Sequence, residues 1–314
     1  MLIDFIKCHG SGNDFPLIDA RGLALNVAEW AVVARALADR SGPVGGDGIL
    51  LLNNGNTTSL FSMRMFNSDG SEAETCLNGL RCVARAGFEA LGIAQATVQL
   101  KTSTAQVARD ADLAPGVFTI RETAGPADLD VTHWPLRGAT RVVDAPVPGL
   151  PSARLFTAVA IPNPHLISFV DTVDDDELRA IGTICEGAPD WLPNRANVSF
   201  VELRSADLFV RTFERGVGLT NSCGSAMAAS TFAACLTGRI TFDTPLTVFN
   251  RGGMVRASAT RDGMVTLSGN ATVEWRGAIE IDLSTGRLGA LQITRRFDDE
   301  IAAWNAVLAG IAAA

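Results

Sequence analysis

The eight residues TCLNGLRC (residues 75–82) decide how this chain is read. Cys76 stands just ahead of an Asn-Gly turn, and the apolar spacing that follows predicts a helix to about Gly92, a good C-terminal stop. Far along the chain, TNSCGSAMAAS (220–230) repeats the arrangement, with Cys223 at the mouth of a small-residue helix that ends near Gly238. The approach to each cysteine also matches. SMRMF (62–66) and FVRTF (209–213) alternate like strands, and each runs into a polar turn, NSDG (67–70) or ERGVG (214–218). Asn67 lies nine residues before Cys76, Glu214 lies nine before Cys223, and the closing glycines follow 16 and 15 residues after the thiols. Matched order and spacing read as a duplicated unit of strand, polar turn, cysteine and helix.

Outward from these two stretches the chain keeps to an α+β plan. Residues 2–7 alternate like a strand and lead through HGSGNDF (9–15), a Gly-rich turn. A helix is expected over about 27–39, then the glycine-loaded SGPVGGDG (41–48), a strand at 49–52 and a tight hairpin turn at NNGN (53–56). Asp14 and Asp69 read as turn residues. Near ETAGPADLD (122–130) the apolar period is lost, which marks a linker at about 123–128. Strand character continues to Leu283, and residues 298–314 form an amphipathic terminal helix with Asp298 or Asp299 as its cap.

Composition bounds the function. At 314 residues and 47% hydrophobic, the chain can bury two cores of ordinary size. The net charge of -8 and the lack of a Lys/Arg-rich run argue against nucleic acid as a partner. No apolar run of about 18 residues offers a membrane span. Asp4 comes early, with no basic stretch leading an apolar one, so no signal peptide is expected. Six cysteines in a chain of this length do not make a disulfide framework, and no C-x-x-C pair suggests zinc. Reduced thiols in a cytoplasm follow, and no metal site is expected.

Why should two thiols stand at two helix starts? A helix N-terminus presents unpaired N–H groups and a partial positive charge. It favours a nearby thiolate and can hold a carboxylate. Two such starts acting on one carboxylate would put a thiol on each side of its α-carbon, a geometry suited to taking a proton from one face and returning one to the other. The plainer alternative is that a cysteine beside a helix is a small inert hydrophobe. Cys8, Cys82, Cys185 and Cys235 are read that way, and Cys76 or Cys223 alone could be. Their matching polar turns favour chemistry. His165 could orient a thiol or accept its proton, while Asn163 before Pro164 is also a common turn device. Asn197 opens an apparent strand. Arg215 suits bidentate carboxylate binding, although Glu214 and Arg215 could also be a solvated pair.

Taken together, these motifs resemble the diaminopimelate epimerases, cofactor-independent amino-acid epimerases. The resemblance runs in order through GSGNDF (10–15), Asp39-Arg40, VGGDG (44–48), FNSDGSE (66–72), CLNGLRC (76–82), NPH (163–165), Asn197, ERGVG (214–218), CGS (223–225) and GNATVEWRG (269–277). It implies two pseudo-symmetric α+β domains, each a curled sheet around a central helix, with the active site in the cleft between them. The domains would be 1–125, joined by residues from about 270 to 314, and 126–269. It implies Cys76 and Cys223 as the acid/base pair, assisted by His165 and Glu214 respectively. Asn78, with the backbone at Leu77, Gly224 and Ser225, would hold the reacting carboxylate. Asn13, Asn67, Asn163, Asn197 and Arg215 would bind the distal amino-acid end. A cytoplasmic homodimer with a small amino-acid substrate is implied too.

The chain departs from the family pattern at Leu77, where glycine is usual, at Leu219, where glutamate is common, and at Ala226, where glycine is common. Residues from about 283 extend past the usual end. Other readings are a racemase of another amino acid by the same two thiols, a catalytically inactive amino-acid-binding relative, and a thiol redox protein. The last lacks the C-x-x-C pair.

Overall fold

Gly48, Ile49, Leu50, Leu51 and Leu52 are buried in succession along one strand. Side chains alternate across a strand, so such a run needs apolar cover on both faces. The computed structural model, which describes residues 1–313, shows how each face is covered. In chain order the elements begin with β1 (Leu2–Gly10), β2 (Asn13–Asp19), α1 (Val27–Ala38), β3 (Gly48–Asn54), β4 (Phe61–Asn67) and β5 (Glu72–Ala73). Then come α2 (Leu77–Leu91), β6 (Gln95–Gln99), β7 (Thr104–Arg109), β8 (Thr119–Ala124), β9 (Thr157–Ala160), β10 (Pro164–Phe169) and α3 (Asp175–Glu186). The rest are β11 (Asn197–Arg204), β12 (Asp207–Glu214), β13 (Gly218–Thr220), α4 (Gly224–Leu236), β14 (Leu246–Asn250), β15 (Gly253–Ala259), β16 (Val265–Asn270), β17 (Thr272–Glu280), β18 (Gln292–Arg296) and α5 (Asp298–Ala313).

The chain forms two compact units, one from Met1–Glu122 with the segment from Ser268 onward, the other Thr123–Leu267. In the first unit β1, β2, β3, β4, β6 and β7 are successive neighbours, paired antiparallel, parallel, antiparallel, parallel and antiparallel. The short β5 lies on β4. In the second unit β9, β10, β11, β12, β14 and β15 follow with the same alternation of sense, and β13 lies on β12 as β5 lies on β4. The two domains are therefore pseudo-symmetric, as the repeated motif predicts. Helix α2 touches β1, β2, β3, β4, β6 and β7, which a flat sheet could not arrange, and α4 likewise touches β9, β10, β11, β12 and β15. Each sheet curls around its own central helix.

The second helix of each unit covers the other sheet face. Trp30, Val33 and Leu37 of α1 pack with Ile49, Leu51 and Phe66, while Leu50, on the opposite face of β3, meets α2 at Gly79. In the second unit Leu178, Ile181 and Cys185 of α3 pack with Leu166, Val198 and Phe200. Both outer helices are firmly capped. Asn26 accepts from the N–H of Ala28 and Glu29 in a capping box, and Asp174 accepts from the N–H of Asp176 and Glu177.

Three expectations change. The NNGN turn is a longer loop, residues 55–60, in which the Asn56 carboxamide accepts from the N–H of Thr58 and Ser59 at 2.8 and 2.9 Å. An Asx-type turn closes it, so the Asn-Gly hairpin geometry is not required. Strand β18, which pairs with β17, was not expected, because its residues are exposed throughout and carry no alternating pattern. Asp298 and Asp299 lie within the first turn of α5, where their charge meets the helix dipole, rather than ahead of it as a cap. The segment beyond 283 is bound to the first unit. Glu300 receives a bidentate bond from Arg85 at 2.6 and 2.8 Å and the N–H of Val273 at 3.1 Å, and Trp304 is buried.

Gly87 of α2 sits against the Phe61 ring, where an added Cβ would lie 2.7 Å from Cζ. Alanine gains about 1 kcal/mol of helix propensity over glycine, but overpacking a closed core costs about 1–3 kcal/mol. Gly87→Ala is therefore expected to destabilise by about 1 kcal/mol, read from the midpoint of urea unfolding at unchanged slope.

Candidate active site

Both cysteines are the N-cap residues of the enclosed helices, with extended backbone at φ -152° for Cys76 and -128° for Cys223. The first helical bond of α2 runs from the Leu80 N–H to the Cys76 carbonyl at 2.8 Å, and that of α4 from Met227 to Cys223 at 3.0 Å. The N–H groups of Leu77, Asn78 and Gly79, and of Gly224, Ser225 and Ala226, thus lie ahead of the first helical bond. Gly79 donates to the Cys76 sulfur at 3.3 Å.

In the first unit the turn between β1 and β2 brings Asn13 to Cys76, whose sulfur lies 3.6 Å from Asn13 Oδ1. The Asn13 amide donates to Asp47. Asp14, read from sequence as a turn residue, instead belongs to a charge cluster with Lys7, Arg40 and Asp47, with Arg40 Nη2 2.7 Å from both carboxylates. Burial works to raise the Asp14 carboxyl, but the bonds from Arg40 and Lys7 prevail and hold it below the usual range. Asp69 is the turn residue expected, accepting from the Ser71 N–H at 2.8 Å. Asn67 ends β4, and its amide donates to Ser71 Oγ at 3.0 Å. Leu77 and Asn78 are both buried. The Leu77 φ is not in the left-handed region, so its backbone conformation is one that glycine and leucine share.

In the second unit His165 and Asn197 stand opposite each other in the parallel register of β10 and β11. His165 Nε2 lies 3.1 Å from Ser225 Oγ, 3.4 Å from Asn163 Oδ1 and 3.4 Å from Asn197 Nδ2. The Asn197 side-chain Oδ1 accepts from the Arg215 backbone N–H at 2.8 Å, and Arg215 Nη1 donates to the Asn194 backbone carbonyl at 3.1 Å. The Cys223 sulfur is 3.5 Å from Ser225 Oγ. Burial, then the negative charge of Glu214 and a hydrogen bond to it, push the Cys223 thiol well up and keep it protonated at neutral pH. All eight residues expected from this half of the chain, Asn163, His165, Asn197, Glu214, Arg215, Cys223, Gly224 and Ser225, fall at the start or end of β10, β11, β12 or α4. In the first unit Asn13, Asn67, Cys76, Leu77 and Asn78 occupy corresponding places.

Sequence reasoning missed the residues behind these. Arg211 holds Asp175 on α3 at 3.0 Å and also donates to the Thr220 carbonyl, while Thr220 Oγ1 donates to Glu214 Oε1. Arg81, fully buried, donates to Asn78 Oδ1 at 2.8 Å. Both arginines lie at strand or helix positions that alternate with apolar ones, and only the second-domain repeat of Arg64 by Arg211 hinted at a role. Among the described residues no three His, Cys, Asp or Glu side chains cluster as a metal site. Among the described residues no helix is long and apolar enough to cross a membrane.

Two like domains, each a curled sheet around a central helix, define a recognisable fold. Solved structures of that fold include a phenazine biosynthesis protein of the PhzF family from Bacillus anthracis (TM-score 0.65, 15% identity, 90% of this chain and 100% of that one). A hydroxyproline epimerase from Agrobacterium vitis is another (TM-score 0.63, 11% identity, 90% and 92%). At the level of sequence the relation is narrower. The family model for diaminopimelate epimerase matches residues 5–110 and 157–274, and the chain belongs to that family. Its relatives include the diaminopimelate epimerases of Clostridium acetobutylicum (38% identity over 288 residues, 89% of this chain and 86% of the relative) and Ligilactobacillus salivarius (39% over 285 residues, 86% and 88%).

His165 is pushed down to about 3, first by burial and second by the positive Arg215. An unfolded histidine titrates near 6.5, so below that pH the unfolded chain gains a proton that the folded one refuses. The stabilising contribution is complete above about pH 6.5 and is lost as pH falls toward 3. Urea unfolding at pH 4 should show His165→Gln losing up to about 3 kcal/mol less than the parent relative to pH 7. Equal losses would mean that His165 takes up a proton without unfolding.

Proposed function

We propose that the protein interconverts LL-diaminopimelate and meso-diaminopimelate by cofactor-independent proton transfer at one α-carbon. The observation that carries this reading is the cysteine at the N-cap of each enclosed helix, in a chain of this family. The reaction needs a thiol on each face of the carbon. One sulfur, as thiolate, takes the α-proton, so an S–H bond forms as the Cα–H bond breaks. The electron pair passes into the carboxylate, whose developing charge the N–H groups at the helix starts and the Asn78 amide stabilise. The second thiol then gives its proton to the opposite face. Charge is conserved, and the two sulfurs have exchanged protonation states.

Cys223 is the thiol in this scheme at the start of one direction, because burial and Glu214 favour its protonated form. Glu214 receives its proton bond and assists it. His165 assists Cys76, as a neutral imidazole, and Leu77, Gly224 and Ser225 supply backbone donors to the carboxylate. Asn13, Asn67, Asn163, Asn197 and Arg215 take the distal ammonium and carboxylate; Arg215 alone among them carries a positive charge for the latter. A domain division at 125/126 and about 269/270, a homodimer and a cytoplasmic setting belong to the same reading. The mass in solution by light scattering tests the dimer.

Proton NMR in D2O with LL-diaminopimelate is the test. Loss of the α-proton signal together with appearance of the meso isomer is expected. Cys76→Ala and Cys223→Ala should each lower epimerisation by at least about 1,000-fold, while Cys82→Ala, which removes a buried thiol hydrogen-bonded to Cys8, should stay within a few-fold. Three equal losses would remove the two-thiol scheme.

A further inference from the structure

Arg81 lies in the first turns of α2 and is fully excluded from solvent, an expensive place for a charge. Its guanidinium is bound on every side. Nε donates to the Asn270 carbonyl at 3.0 Å, Nη1 to Glu122 Oε1 at 2.7 Å, and Nη2 to Asn78 Oδ1 at 2.8 Å and Ser11 Oγ at 3.2 Å. Two glycines clear its space. A Cβ at Gly10 would lie 2.9 Å from Nη2, and one at Gly269 would lie 2.6 Å from Cζ. A buried Arg–Glu pair is commonly no more stabilising than apolar residues of like volume, so stability is a weak account of this one.

Asn78 gives a stronger account. A carboxamide can sit either way round, presenting its oxygen or its nitrogen to a given neighbour. A guanidinium only donates, so beside Arg81 only one orientation is satisfied: Oδ1 toward Arg81, Nδ2 away from it. We propose that Arg81, anchored by Glu122, is a positioning residue that fixes the Asn78 amide with its Nδ2 donor turned to the substrate carboxylate. The inference rests on the function proposed above. Glu122 fits the anchoring role: it is wholly buried beside Arg81, and Arg81 Nη1 binds its Oε1.

The test is a double-mutant cycle on the whole protein, read by α-proton exchange from LL-diaminopimelate. Arg81→Met/Glu122→Leu removes both buried charges together, so neither is left uncompensated. It should lower kcat/KM about 10- to 100-fold, with kcat falling as the Asn78 donor to the developing charge is misplaced, and with thermal melting little changed. Asn78→Ala should do the same, and the three substitutions together should lose no more than Asn78→Ala alone. Losses that multiply would overturn the proposal, since Arg81 would then act by a route other than Asn78. If the paired variant does not fold, Arg81→Lys, which keeps the charge beside Glu122 but cannot reach all four acceptors, goes through the same cycle with the same two outcomes. Failure of the parent protein to exchange the α-proton would overturn the functional reading itself, and shows before any variant is made.

Discussion

A helix enclosed by a curled sheet cannot hydrogen-bond its own first N–H groups, and the rest of this structure depends on how that constraint is met. The outer helices α1 and α3 meet it in the ordinary way, with Asn26 and Asp174 as side-chain caps that hold two N–H groups each. The enclosed helices do not. Cysteine is a weak acceptor, and Cys223 makes no side-chain cap bond at all. A serine or aspartate there would be worth about 1 kcal/mol to the helix. The fold thus uses strong caps where a helix end has only a structural task and forgoes them at the two ends where donors and thiols are proposed to meet a carboxylate.

The two enclosed helices solve the side-chain half of the same problem differently. From Gly224 to Cys235 every residue of α4 is buried, and most are small, with no charge to compensate. A helix apolar all round is what full enclosure calls for. Helix α2 instead buries Arg81 and Arg85 and must answer each with a carboxylate, Glu122 for the first and Glu300 for the second. Glu300 comes from α5, so the segment beyond residue 283 supplies an ion pair to the helix that Cys76 heads. Near-identical strand order in the two units therefore carries unlike interiors, and the sequence repeat is correspondingly weak away from the cysteines.

The repeat itself was legible because its signals are local: a strand period, a polar turn, a helix stop such as Gly92, which takes φ 68° as its C-cap. The parallel pairings of β2 with β3 and β10 with β11 were not legible, since register between strands separated by a helix leaves no mark on either strand alone. Among the candidate site residues the same division holds. Asn67, Cys76, Glu214 and Cys223 occupy repeated slots and could be picked out by position. Asp14 looked like a turn residue because Lys7, Arg40 and Asp47, which determine its state, converge on it from other elements. Arg81 was hidden by its place in an apolar helix, where a charged residue ordinarily marks the solvent face.

Leu77, at a position where the resemblance implies glycine, shows how the helix start limits the effect of an added side chain. It is the first residue of α2, and its φ is one that any L-residue adopts, so the N–H it offers is in the same place that a glycine would put it. Its side chain is 5% exposed and so is taken up almost wholly by packing. The leucine side chain is thus absorbed by packing and the donor is unchanged. In the proposed reaction a change of that kind leaves the capture of the substrate carboxylate alone. Selectivity among amino acids in the proposed reaction then falls to Asn13, Asn67, Asn163, Asn197 and Arg215, whose amides and guanidinium suit a second amino-acid head and would go unpaired with a plain aliphatic side chain.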